Sequence, residues 1–89
     1  MSVRKRVVVS GRVQGVFFRD SCRARAETSG VSGWVRNVDD GTVEACFEGE
    51  SKAVDELVAW CRSGPDAAHV DDVDVIEEEP RDERGFSVR

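Results

Sequence analysis

The chain has 89 residues, 39% of them hydrophobic and 35% charged, with a formal net charge of −5. That length suits one compact domain with a modest core, and no apolar run approaches the roughly 20 residues that a membrane span needs. The negative charge argues against a general nucleic-acid binder, which requires a basic face to displace counterions from phosphates.

Val7, Val8 and Val9 run into Ser10-Gly11, which reads as a buried first strand entering a loop. In "DSCRARAETS", residues 20–29, good helix formers follow Asp20 and Ser21 and precede Gly30, the start and stop signals of a first helix. Its predicted inward stripe is Cys22, Ala26 and Ser29. Two further runs flank Asp39-Asp40-Gly41, and the Asp-Gly pair predicts a hairpin joining antiparallel second and third strands. On the third strand Val43, Ala45 and Phe47 alternate with Glu44, Cys46 and Glu48, which assigns Cys46 and both glutamates to the wet face. Ser51 is placed to cap a second helix whose stripe is Val54, Leu57, Val58 and Cys61, ended by Gly64-Pro65. Val73 and Val75 alternate within an acidic stretch, and Phe86 and Val88 alternate at the end, predicting a fourth strand and a short final one. The order β-α-β-β-α-β implies an α+β, ferredoxin-like sandwich: an antiparallel sheet, two helices on one face, and an added short C-terminal strand. The expectation is a single domain over residues 1–89. Such a fold hosts many activities, so function must be argued from a site.

Acidic residues crowd "VDDVDVIEEEPRDE", whereas Arg12, Arg19, Arg23, Arg25 and Arg36 lie in the first half, so an anion site, if the chain has one, belongs in residues 10–40. Between the first strand and the first helix, Gly11 and Gly15 permit backbone angles that other residues resist. Successive N–H groups can then converge just before a helix N-terminus, where unpaired donors and the helix dipole favour an anion. Arg19 closes this loop with a planar guanidinium suited to two parallel bonds to phosphate oxygens. A nucleotide P-loop would need a Lys-Ser/Thr pair after its glycines, and Val16-Phe17-Phe18 stands there instead. The glycines also lack the spacing and parallel context of a dinucleotide fingerprint. Read alone, the loop is better taken as a structural turn with solvated arginines, and the position of Asn37, just ahead of the Asp-Gly pair, favours a role in that turn over one in a pocket.

Two separated stretches decide between these readings. "GRVQGVFFR", Gly11 to Arg19, resembles the phosphate-loop motif of the acylphosphatase family, and "GWVRNVDDGTVEACFEG", Gly33 to Gly49, resembles its second motif, both without gaps. The element order and length are similar as well. The resemblance implies that Arg19 binds a substrate phosphoryl group together with backbone N–H groups of Gln14, Gly15, Val16, Phe17 and Phe18, and that Asn37 positions the attacking water. It implies an acyl phosphate substrate, hydrolysed to carboxylate and inorganic phosphate, with no cofactor, no metal and no covalent intermediate; inorganic phosphate would be product and competitor. The other reading is a non-catalytic phosphate- or partner-binding module, against which the joint presence of Arg19 and Asn37 weighs.

The remaining chemistry-bearing residues carry less. Arg12 and Arg36 read as solvated charges, Asp39 and Asp40 as turn residues, and Phe17, Phe18 and Trp34 as core or pocket wall. Cys22, Cys46 and Cys61 include no CxxC pair and signal neither a disulfide framework nor a zinc site; the lone His69 is given no role. Behind the basic Met1–Arg6, the apolar run Val7–Val9 is far too short for a signal-peptide core. The expectation is a cytoplasmic monomer acting on a small molecule, with no nucleic-acid or membrane partner.

Overall fold

The computed structural model describes residues 1–89. Its elements are β1 (Ser2–Arg12), α1 (Phe18–Ser29), β2 (Ser32–Asn37), β3 (Val43–Glu50), α2 (Ser51–Cys61), β4 (His69–Glu78) and β5 (Phe86–Val88). The sheet order is β4-β1-β3-β2-β5. The first four strands pair antiparallel, as expected, while β5 runs parallel to β2, which makes the five-stranded sheet mixed.

Both helices lie on the face that carries Val7, Val9, Val35, Val43, Ala45 and Phe47, all fully buried. Against it α1 places Phe18, Cys22 and Ala26, and α2 places Val54, Leu57, Val58 and Cys61. The predicted stripe of α2 is therefore the observed one. On α1, Ser29 is exposed, because the helix starts at Phe18, ahead of Asp20, and its buried row is Phe18, Cys22, Ala26 at four-residue spacing. Ser51 provides no cap: it is the first residue of α2, Glu50 precedes it in the capping position, and no side chain caps the end.

The opposite face departs from the reading of β3. Cys46 is fully buried and Glu48 is 6% exposed. The cause is topological. β4 and β5 occupy opposite edges, so the seven residues 79–85 must cross the sheet. Four strand intervals measure about 19 Å and seven residues reach at most about 24 Å, so the crossing is nearly straight. It runs over β3, where Glu48 accepts the N–H groups of Arg81 (2.9 Å) and Glu83 (3.1 Å). Arg4, 3% exposed, completes the anchorage with bonds to Glu48 (3.1 Å), Glu78 (3.0 Å) and Glu83 (3.0 Å). Burial alone would raise the Glu48 carboxyl; the two N–H groups and Arg4 outweigh it and hold the group below the usual carboxylate range. Beside this cluster Glu44 bonds Arg6 and Arg36, so neither glutamate is the solvated charge that alternation implied.

No helix of the chain is long and apolar enough to cross a membrane.

Candidate active site

The loop between β1 and α1 is fixed by its own side chains. Val13, Val16 and Phe18 are 1%, 5% and 2% exposed, and each buried apolar group of this size contributes about 1.5–3 kcal/mol. These three anchors alternate with outward positions: Gly15 and Phe17 are exposed, and Gln14 and Arg19 are half-buried. At its entry β1 shifts register against β4 between Ser10 and Gly11. Gly11 has φ 123°, and a Cβ there would collide with the His69 carbonyl oxygen, so glycine is required by both angle and space. Gly15 has φ 73° in open space, so its requirement is the angle alone.

The same loop leaves its main-chain donors unpaired. The first helical bond of α1 runs from the Ser21 N–H to the Phe17 carbonyl at 3.0 Å, leaving the preceding helical N–H groups without intrahelical acceptors. None of the N–H groups of Gln14, Gly15, Val16, Phe17 and Phe18 donates to an acceptor of the chain. Free donors at a helix N-terminus make a region of positive potential.

Asn37 ends β2 opposite Val43 of β3, on the helix-covered face. The turn that follows is closed without it. Asp40 accepts the Thr42 N–H (3.0 Å) and hydroxyl (2.7 Å), and the backbone bonds between Val38 and Thr42 and between Gly41 and Val38 complete it. Those bonds from Thr42 also hold the exposed Asp40 carboxyl below its ordinary range. The carbonyls of Val38 and Thr42 each receive a bond from the Gln14 side chain, at 2.7 and 2.9 Å. Gln14 thus stitches the loop to the hairpin, a role that no sequence signal marked, because the partners are main-chain groups 24 and 28 positions away. The Asn37 amide makes no hydrogen bond within the chain and is left free to face the cavity.

That cavity, about 270 Å³, is lined by Val13, Gly15, Phe17, Phe18, Arg19, Asp20 and Asn37. It unites Arg19 and Asn37, which are distant in sequence, with Gly15, Phe17 and Phe18 of the loop, while Gln14 and the buried Val16 are not part of its lining. Arg4, Arg6, Arg23 and Arg36 each have a carboxylate partner, whereas Arg19 has none. Asp20 was read only as a helix-start signal; it also lines the wall, exposed in the first turn of α1. Of the aromatics, Phe18 is core, Trp34 lies on the opposite face under Arg89 at 4.5 Å, and Phe17 stands at the rim, 75% exposed. Arg12 is exposed, and Arg36 pairs with Glu44 at 2.7 Å, outside the cavity.

Comparison with known proteins agrees over nearly the whole chain. A family model described as Acylphosphatase matches residues 5–88. An acylphosphatase of Rubrobacter xylanophilus is 68% identical over 88 residues, covering 97% of this chain and 79% of its own. The structure of an acylphosphatase from Coxiella burnetii superposes with a TM-score of 0.94 at 41% identity, covering 99% of this chain and 93% of that one. The crystal structure of the acylphosphatase from Bacillus subtilis gives 0.93 at 35% identity, covering 98% of each.

Proposed function

The chain belongs to the acylphosphatase family, and on that premise we propose how its cavity cleaves the carboxyl-phosphate bond of an acyl phosphate. The observation that carries the reading is the meeting of Arg19, Asn37 and the loop residues Gly15, Phe17 and Phe18 in one cavity, with the Arg19 and Asn37 side chains and the three loop N–H groups all without partners in the chain. The phosphoryl oxygens sit against the N–H groups of Gln14 to Phe18, and Arg19 adds two parallel charge-assisted bonds. Both sets of donors are in place before the reaction, so they stabilise charge on the phosphoryl oxygens without reorganising.

Asn37 accepts a hydrogen bond from water through its side-chain oxygen and sets the water in line with the scissile bond. The water oxygen bonds to phosphorus as the bond from phosphorus to the acyl oxygen breaks. That electron pair leaves as the carboxylate, and the proton of the water passes to a phosphoryl oxygen. An amide cannot take a proton at neutral pH, and with an activated anhydride as substrate, positioning and electrostatics suffice. No metal enters this scheme. Three free, buried thiols support a reducing, cytoplasmic setting.

The test is phosphate release from acetyl phosphate and benzoyl phosphate in the presence of a chelator. Arg19→Ala and Asn37→Ala each lower turnover by on the order of 100-fold while remaining folded, the size expected for one preorganised contact. Turnover no higher in the wild type than in Arg19→Ala would remove the enzymatic reading. Inorganic phosphate inhibits competitively at millimolar concentration; absence of that inhibition counts against the loop as the phosphoryl site.

A further inference from the structure

Phe17 is the one aromatic ring that the fold leaves in water. It is 75% exposed, whereas Phe18 and Phe47 are buried, Phe18 tilted against Trp60 and Phe47 stacked on Phe86. Its backbone is left-handed, with φ 64° and ψ 24°. That region disfavours any residue with a Cβ, and Gly15, two positions earlier, meets the same demand with glycine. An aromatic residue here therefore strains the loop and contributes no packing in return. The ring does have a location: it forms part of the wall of the cavity that holds Arg19 and Asn37.

We propose that the Phe17 ring is the contact for the acyl group, and that it favours acyl phosphates whose acyl part is flat, apolar and uncharged, as in an aroyl phosphate. The inference rests on the phosphoryl reading above. With the phosphoryl oxygens on the loop donors, the acyl group must leave the cavity over its rim, and the rim presents this ring. The left-handed backbone fixes the direction of the Cβ, so the ring is held over the mouth instead of folding onto the core with Phe18. A flat acyl group gains an offset or edge-on aromatic contact there, which an acetyl group is too small to use. Asp20 lines the same wall, so an acyl group bearing its own carboxylate or phosphate meets a like charge.

The experiment compares kcat/KM for benzoyl phosphate and acetyl phosphate in the wild type, Phe17→Ala and Phe17→Tyr. Intrinsic differences in reactivity cancel between variants. The benzoyl-to-acetyl ratio falls about tenfold in Phe17→Ala, the loss of one aromatic contact, chiefly through KM for benzoyl phosphate, and Phe17→Tyr restores it. Phe17→Gly, which suits the positive φ, repeats the measurement should Phe17→Ala fold poorly. Inorganic phosphate has no acyl part, so its inhibition constant reports the loop itself. Equal losses for both substrates, accompanied by weaker phosphate inhibition, would show that position 17 acts through its backbone alone and overturn the proposal. An unchanged ratio would overturn it as well. A wild type that turns over neither compound defeats the phosphoryl reading, an outcome distinct from turnover of both with a ratio that ignores Phe17.

Discussion

Arg4 and Arg19 receive opposite treatment. Arg4 lies 3% exposed beneath the crossing segment and bonds three carboxylates; Arg19 faces a cavity and bonds none. Burial works against the charge of Arg4, and its bonds to Glu78, Glu83 and Glu48 more than reverse that, so its ionisation is raised. A buried charge with every partner present is committed to the fold. A half-buried one with none is available to a ligand. The two sites need not share residues or energetics, so stability and activity should separate under mutation.

The strongest break in this contrast is Arg4→Ala. It strands Glu48 beneath the crossing segment, and loss of one partner of a buried pair costs about 3 kcal/mol or more. Urea unfolding should show that loss while kcat per folded molecule stays near wild type; a matching fall in kcat would mean the two regions are coupled. Next comes Arg19→Ala, whose loss of turnover should come with an unchanged urea midpoint. A midpoint shift as large as that of Arg4→Ala would mean that Arg19 also holds the fold.

Gln14→Ala tests the seam between the regions. It removes two bonds to hairpin carbonyls, at about 1 kcal/mol each, and frees Asn37 to drift from the loop, so turnover should fall by less than in Asn37→Ala. Turnover as high as wild type would show that the hairpin holds its place unaided. Acid should sharpen the contrast further. Arg6 and then Arg4 hold the Glu78 carboxyl below its ordinary value of 4.5, and Glu48 is held low as well. Carboxyls depressed in the folded state contribute stability that is present above their unfolded value and lost as pH falls through the folded one. The urea midpoint should therefore decline below about pH 4.5, and decline less steeply in Glu48→Gln. The smallest effect is chemical: burial pushes the Cys46 thiol up to about 11 and Cys61 up to about 12, so a thiol reagent at pH 8 should label neither before urea is added.

Local pattern carried much of this fold. The Asp-Gly hairpin, the α2 stripe and the two C-terminal strands are all where periodicity put them, since each depends on neighbours along the chain. β1 extends from Ser2 to Arg12, well past its valine run, because cross-strand partners on β3 and β4 recruit Arg4, Lys5 and Arg6, which lie outside that apolar run. Cys46 and Glu48 were misread for a related reason: alternation reports which side of a sheet a residue faces, and a distant segment decides whether that side is wet. At the site, Arg19 and Asn37 were legible because each sits in a long ungapped motif. Gln14 was legible only as backbone, since a side chain that bonds carbonyls leaves no mark on the residues it meets.

The crossing segment has a consequence for how the chain assembles. β5 has only three residues and pairs with β2 alone, so its docking adds few contacts for the loop that it closes. Docking of β5 is therefore expected to follow formation of the four antiparallel strands. The same order in reverse makes Phe86–Val88 the first strand to open, and its amides should exchange ahead of those in β1 and β3. Each such opening lifts Phe86 from Phe47, stacked at 6.0 Å, and momentarily admits water to the helix side of a core whose opposite face stays sealed by Glu48.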